Sequence, residues 1–181
     1  MRQSLAEHGI DWSPPQAGAS AGIARHHVKG FPHSFLRHLR RVGALHVAGQ
    51  PVMPVSGPED LEGADGHIED AASMLDSHLL CHADDAGFYV PLPFEGPLFL
   101  AEDTIDGAGM VGSSQGLLGE LIEIAPLIGV GLEPDTSLSD AEASRLVQDG
   151  GGPYAVEQIT WLALHEACRA SIASGHAIVY T

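Results

Sequence analysis

The sequence predicts an α+β fold: a single domain in which a mixed or antiparallel sheet of short strands packs with about four helices. Three observations carry that expectation. Stretches with helical periodicity mix with short β-like runs without strict alternation, which argues against a doubly wound sheet. The 181 residues suit one core of ordinary size. Hydrophobic residues make up 44% of the chain and mean hydropathy is +0.07, which excludes wholesale disorder. Residues 1–181 therefore read as one globular domain, with residues 1–30 as a loosely structured basic arm.

The elements follow in order. The opening 22 residues read as one short helical turn and then a Pro/Gly/Ala-rich loop. From Pro32 the chain turns helical, with Phe35, Leu36, Leu39 and Val42 on one face, Arg37, Arg40 and Arg41 on the other, and Gly43 as the stop. Leu45–Ala48 and Val52–Val55 are short strand candidates, and Gly57–Asp65 is an acidic loop. A second helix is expected over His67–His82, its core stripe formed by Ile68, Ala72, Leu75 and Leu79. After a turn at Asp84–Gly87, Phe88–Leu92 and Pro97–Ala101 read as strands whose prolines push them toward a sheet edge. A helix starting at Ser113 or Ser114 should end at Pro126. Ser139-Asp-Ala-Glu142 reads as a capping box opening a short helix that Gly150-Gly-Gly152 terminates. A central helix over Ala155–Ala173 and a final strand over His176–Thr181 complete the chain.

Charge is the dominant compositional feature. Eight basic residues stand against 24 acidic ones, a net −16, and two unequal parts of the chain differ. Residues 1–50 carry a net +4 and residues 51–181 a net −20. Such a body repels phosphates and anionic lipid, so the reading excludes nucleic acid and membrane as its ligands and favours a basic protein partner. The acidic loops Glu59-Asp60-Leu-Glu62, Asp84-Asp85 and Glu102-Asp103 are the expected contacts. A competing account is internal, with the basic arm covering the acidic body. Two cysteines, Cys81 and Cys168, exclude a disulfide-dense scaffold, and both fall in apolar segments that suit free thiols. No apolar run approaches the ~18 residues of a membrane span and the first residues lack a signal-like apolar core, so a cytoplasmic protein is expected.

Four constellations bear on chemistry. Gly112-Ser-Ser114-Gln-Gly116 fits G-x-S-x-G, where the glycines permit a sharp turn that exposes a serine nucleophile. On this stretch alone the chain resembles a compact esterase of the α/β-hydrolase family. The resemblance implies Ser114 as nucleophile, an amide of Gln115 for the oxyanion, His165 or His176 as base, and Asp140 or Asp135 to orient it. The competing reading is a serine N-cap. Gly107-Ala-Gly109-Met-Val-Gly112 matches a dinucleotide fingerprint formally, but Glu102, Asp103 and Asp106 would crowd the pyrophosphate with negative charge.

The third constellation is one face of the second helix. His67, Asp70, Met74, His78, Cys81 and His82 share a sector at ~100° per residue. His78 and His82, spaced i, i+4, could hold one transition metal with Asp70 or Cys81 as a third ligand. No cofactor beyond that metal is implied, and a solvated histidine-bearing face explains the pattern equally. The fourth is His165, one turn from Trp161 and Arg169, either a base or a satisfied histidine at a core edge. The reading that uses the charge is a non-enzymatic acidic binding domain, similar in size and charge to small immunity proteins and antitoxins. A serine hydrolase and a metal-binding protein are the alternatives.

Overall fold

The computed structural model describes residues 2–15, 31–82, 87–100, 109–148 and 152–180. Its helices are α1 (Arg2–Glu7), α2 (His33–Val47), α3 (Pro58–Glu62), α4 (Asp65–Ser73), α5 (Ser114–Ile124), α6 (Asp140–Gln148) and α7 (Ala155–Ser174). A 3₁₀ turn over Ala125–Ile128 follows α5 and carries Pro126. The strands are β1 (Gly87–Val90), β2 (Leu98–Phe99), β3 (Met110–Ser113) and β4 (Ile178–Tyr180). They form one mixed sheet in the order β2-β3-β1-β4. β1 and β3 run parallel with Tyr89 opposite Gly112, whereas β1–β4 and β2–β3 are antiparallel. The fold is α+β.

The sheet separates two apolar clusters. Side chains alternate along β1, so Tyr89 faces a large helical core while Phe88 and Val90 face a smaller one. In the helical core α7 is central: Trp161 and Leu162 are fully buried among α2, α5 and α6, and the Trp161 indole donates to Leu121 O at 2.7 Å. The smaller core is closed by the N-terminal segment. Leu5 and Trp12 pack with Phe88, Val90, Leu100 and Val111, and the Trp12 indole donates to Gly175 O at 3.0 Å. Residues 2–15 are thus structural. The remainder of the basic arm, including Arg25 and Lys29, lies outside the described residues.

Several expected boundaries shift for identifiable reasons. Gly43 does not stop α2. It is buried inside the helix, where a Cβ would come within 3.2 Å of the Leu79 side chain, so glycine lets residues 79–80 pack close. The true stop is Gly49 in a left-handed conformation, with Gly49 N bonded to His46 O and Gln50 N to Leu45 O, a Schellman pattern. Leu45–Val47 is therefore helix, and Val52–Val55 is irregular rather than strand. α3 occupies part of the expected acidic loop, with Pro58 at its first position and Glu59 and Asp60 in a first turn that suits negative charge. The strand β1 is central and not an edge, because Pro91 falls just past its end.

The largest departure is the second helix. α4 ends at Ser73, and Leu75 then takes a left-handed backbone, φ +59°. The freed amides downstream are taken by a carboxylate from α5: Glu120 accepts from His78 N at 2.6 Å, Leu79 N at 3.0 Å and Ser77 Oγ at 2.7 Å. The capping box is also half realised. Ser139 Oγ accepts from Glu142 N, but the Glu142 carboxylate turns to Gly131 N and Arg145 instead.

Candidate functional site

The two motifs that most suggested chemistry interlock as one packing seam between the 78–82 turn, the sheet and α5. Ser113 is the N-cap of α5: its Oγ accepts from Gly116 N at 3.0 Å and donates to Leu92 O at 2.7 Å. The Ser113 amide donates to His78 Nδ1 at 3.2 Å. With Nδ1 accepting, Nε2–H is the donor to Phe94 O at 3.2 Å. A Cβ on Gly116 would overlap that ring, and a Cβ on Gly112 would overlap the Tyr89 ring. Both glycines of the G-x-S-x-G pattern therefore serve close approach of an aromatic ring, not exposure of a nucleophile.

The metal half-site is corrected in the same place. His78 and His82 are buried, on a turn and not on an exposed helical face. His82 stacks on Tyr89 at 4.4 Å, and its ring nitrogens face His78 O and Phe88 O. Burial pushes its pKa down to about 4, so the ring is neutral near pH 7. Asp70 is exposed on α4, and Cys81, whose thiol is pushed up by burial, contacts Ala72 O. Among the described residues no group of three or more His, Cys, Asp or Glu is arranged to hold a metal.

The hydrolase constellation is not assembled. Ser114 is fully buried, and its Oγ lies 2.8 Å from Ser171 Oγ. Ser171 donates its own proton to His176 O at 2.6 Å, so Ser114 is the donor in that pair. No imidazole is among its partners. Gln115 bonds Pro91 O through its side chain. His165 is buried, stacked on Trp161 at 4.7 Å, with Nδ1 3.4 Å from Glu166 Oε1. His176 is half-buried after α7, and Asp140 opens α6 on the surface. Asp135 closes a tight turn, where the Ser137 hydroxyl and amide hold its carboxyl below the usual range.

The acidic surface is organised differently. In residues 31–180 the described cations are engaged internally. Arg37 pairs with Asp65 through two bonds of 2.6 and 2.8 Å, Arg145 with Glu142 and Arg169 with Glu166. Arg40 and Arg41, on the face opposite the apolar stripe by periodicity, donate to Leu80 O and Met53 O, and Arg41 is buried. Glu59, Glu62, Glu69, Asp70, Asp76, Glu95 and Glu123 are exposed and pair with no cation among the described residues. Asp60 accepts from Ser56 N. Asp84, Asp85, Glu102 and Asp103 lie outside the described residues, as does most of the formal dinucleotide motif.

Some of these carboxylates rim a concave surface that charge patterning alone did not reveal. Two shallow hollows meet at Val47, at the C-terminal end of α2. One is edged by Asp76, Glu120 and Glu123, the other by Asp70, His67 and Met74. Helical periodicity concealed it, because it places Leu75 on the core stripe of the expected second helix.

Fold and surface together define an acidic α+β binding protein, with Ser114, His78, His82 and His165 held inside and many of its carboxylates turned outward. The chain belongs to the family described as "Putative DNA-mimic protein", whose model matches residues 1–180. No curated protein and no solved structure matches it. The family corrects the partner expectation. Repulsion of phosphate removed nucleic acid from consideration, yet a surface that imitates DNA repels DNA for the same reason, so that repulsion sets no limit on partners that themselves bind nucleic acid. No helix among the described residues is long and apolar enough to cross a membrane.

Proposed function

We propose that this protein occupies the DNA-binding surface of another protein by presenting carboxylates where phosphates would sit. The observation that carries the reading, beside the family, is the asymmetry of the charges among the described residues: exposed acids without internal cations, and arginines of residues 31–180 engaged by their own fold. Carboxylates left unpaired keep their field available to a partner, accelerating encounter and weakening as salt screens them. An immunity or antitoxin role is the narrower form of this proposal, in which the occupied protein is a DNA-cleaving toxin.

The test is competition. A labelled duplex bound to each of a panel of DNA-binding domains is titrated with the chain at rising salt. Displacement from at least one, weakening by about tenfold or more between 50 and 200 mM salt, is the expected result. Failure to displace duplex from any of them at low salt sinks the proposal. For the narrower form, co-expression must rescue cells from a DNA-cleaving toxin that the chain displaces from DNA.

A further inference from the structure

Val47, Met74 and Leu75 are 66%, 69% and 50% exposed, on a protein whose other large apolar side chains mostly fill its two cores. They gather at one place. Val47 lines both hollows, of about 200 and 330 Å³, Met74 lines the larger, and Leu75 follows Met74 in the chain. No lysine or arginine lines either hollow among the described residues, whereas Asp70, Asp76 and Glu123 do.

The turn that presents Met74 and Leu75 is rigid and strained. A leucine at φ +59° sits in a region that bulky residues seldom adopt, at a cost of order 1–3 kcal/mol. It is held from both sides. Glu120 clamps Ser77, His78 and Leu79, and Gly96 lies so close that a Cβ there would be 2.9 Å from Leu75 O. Relaxing the turn by continuing α4 would carry Leu75 onto the buried stripe. Instead the fold maintains an outward leucine next to Asp76 in the chain.

We infer that this face docks an amphipathic basic helix of the DNA-binding partner, its apolar residues seated around Val47, Met74 and Leu75 and its Lys or Arg residues against Asp70, Asp76 and Glu123. The inference rests on the DNA-imitating reading and adds what imitation of charge lacks, an apolar anchor that fixes one docking register. A second copy of this chain is a poor occupant, because it would set like carboxylates against each other across the same hollows.

The experiment uses two synthetic peptides of identical Lys/Arg/Leu composition and about 18 residues, one with leucines at i, i+3, i+4 and i+7, the other with leucines scattered. Each is titrated into the full chain at low salt, followed by anisotropy and amide shifts. The expected result is about tenfold tighter binding of the amphipathic peptide, with shifts centred on Val47, Met74 and Asp76. The double variant Met74→Ser/Leu75→Ser should lose about tenfold, Asp70→Asn/Asp76→Asn a similar amount, and Glu133→Gln less than about twofold. Equal binding of the two peptides, or shifts spread over all acidic loops, overturns the docking face while duplex competition still upholds DNA imitation. A dimer in sedimentation that Leu75→Ser abolishes also overturns it, by giving the face to a second copy. Peptide binding at this face without duplex displacement from any DNA-binding domain supports the face and removes DNA imitation.

Discussion

Residues 74–82 feed two regions that obey opposite rules. On one side His78 and His82 enter the seam with Tyr89, Gly112 and Gly116, where both His78 nitrogens are hydrogen-bonded and no Cβ fits. On the other, Met74, Leu75 and Asp76 stand in solvent beside hollows that no lysine or arginine lines among the described residues. The seam has the residue types of catalysis and metal binding but none of the accessibility. The outer face has accessibility and uncompensated charge but no unusual residue type. Residue identity is a poor guide to function when burial has sealed a side chain from solvent, whereas unengaged charge beside exposed apolar surface points outward to a partner.

Breaking the seam should have the largest effect. Gly116→Ala drives a methyl into a ring tethered at both nitrogens, so a loss of about 3 kcal/mol or more is expected, read as a lowered urea midpoint. Next comes acidification. His82 is held at about 4 in the fold against an ordinary 6.5, so the unfolded chain binds the proton first as pH falls. Its contribution is complete above about pH 6.5 and is lost toward pH 4, roughly 3 kcal/mol in all. Denaturation midpoints of wild type and His82→Leu across that window should differ in slope, with the variant flatter. A parallel pair of slopes would show that His82 is not the titrating group.

Ser114→Ala sharpens the comparison at the motif itself. It removes one buried hydrogen bond to Ser171, so stability should fall by about 1 kcal/mol. A serine-reactive phosphonate should leave the folded wild type unlabelled, since Ser114 is sealed from solvent. The smallest stability change belongs to the outer face: Asp76→Asn and Glu123→Gln should each stay within about 0.5 kcal/mol of wild type. Those same variants should weaken duplex displacement, and the difference should shrink as salt rises. A large stability loss would mean that these carboxylates serve the fold and not a partner.

Much of the fold was legible because its signals are local. The apolar periodicity of 155–173 marks the central helix, Pro126 marks the end of α5, and Ser113 caps it as its position before an apolar run suggests. The misread elements depended on distant partners. Nothing within 67–82 breaks a helix by propensity. The break depends on Glu120, some forty residues later, accepting the amides that a continued helix would have used internally. Gly43 reads as a stop until the packing of Leu79 against it is known, and Arg41 reads as surface until it reaches Met53 O.

The candidate site divides the same way. Composition alone determined that this chain is acidic and that its acids concentrate after residue 50. Those are sums over residues and need no coordinates. Only the tertiary structure decided which charges remain outward, because pairing is a matter of distance: the arginines of α2 turned to Asp65 and to backbone carbonyls, leaving Asp70, Asp76 and Glu123 without them. It also decided that Leu75, spaced for the core, faces solvent, since α4 ends at Ser73 and Leu75 itself leaves the helical backbone.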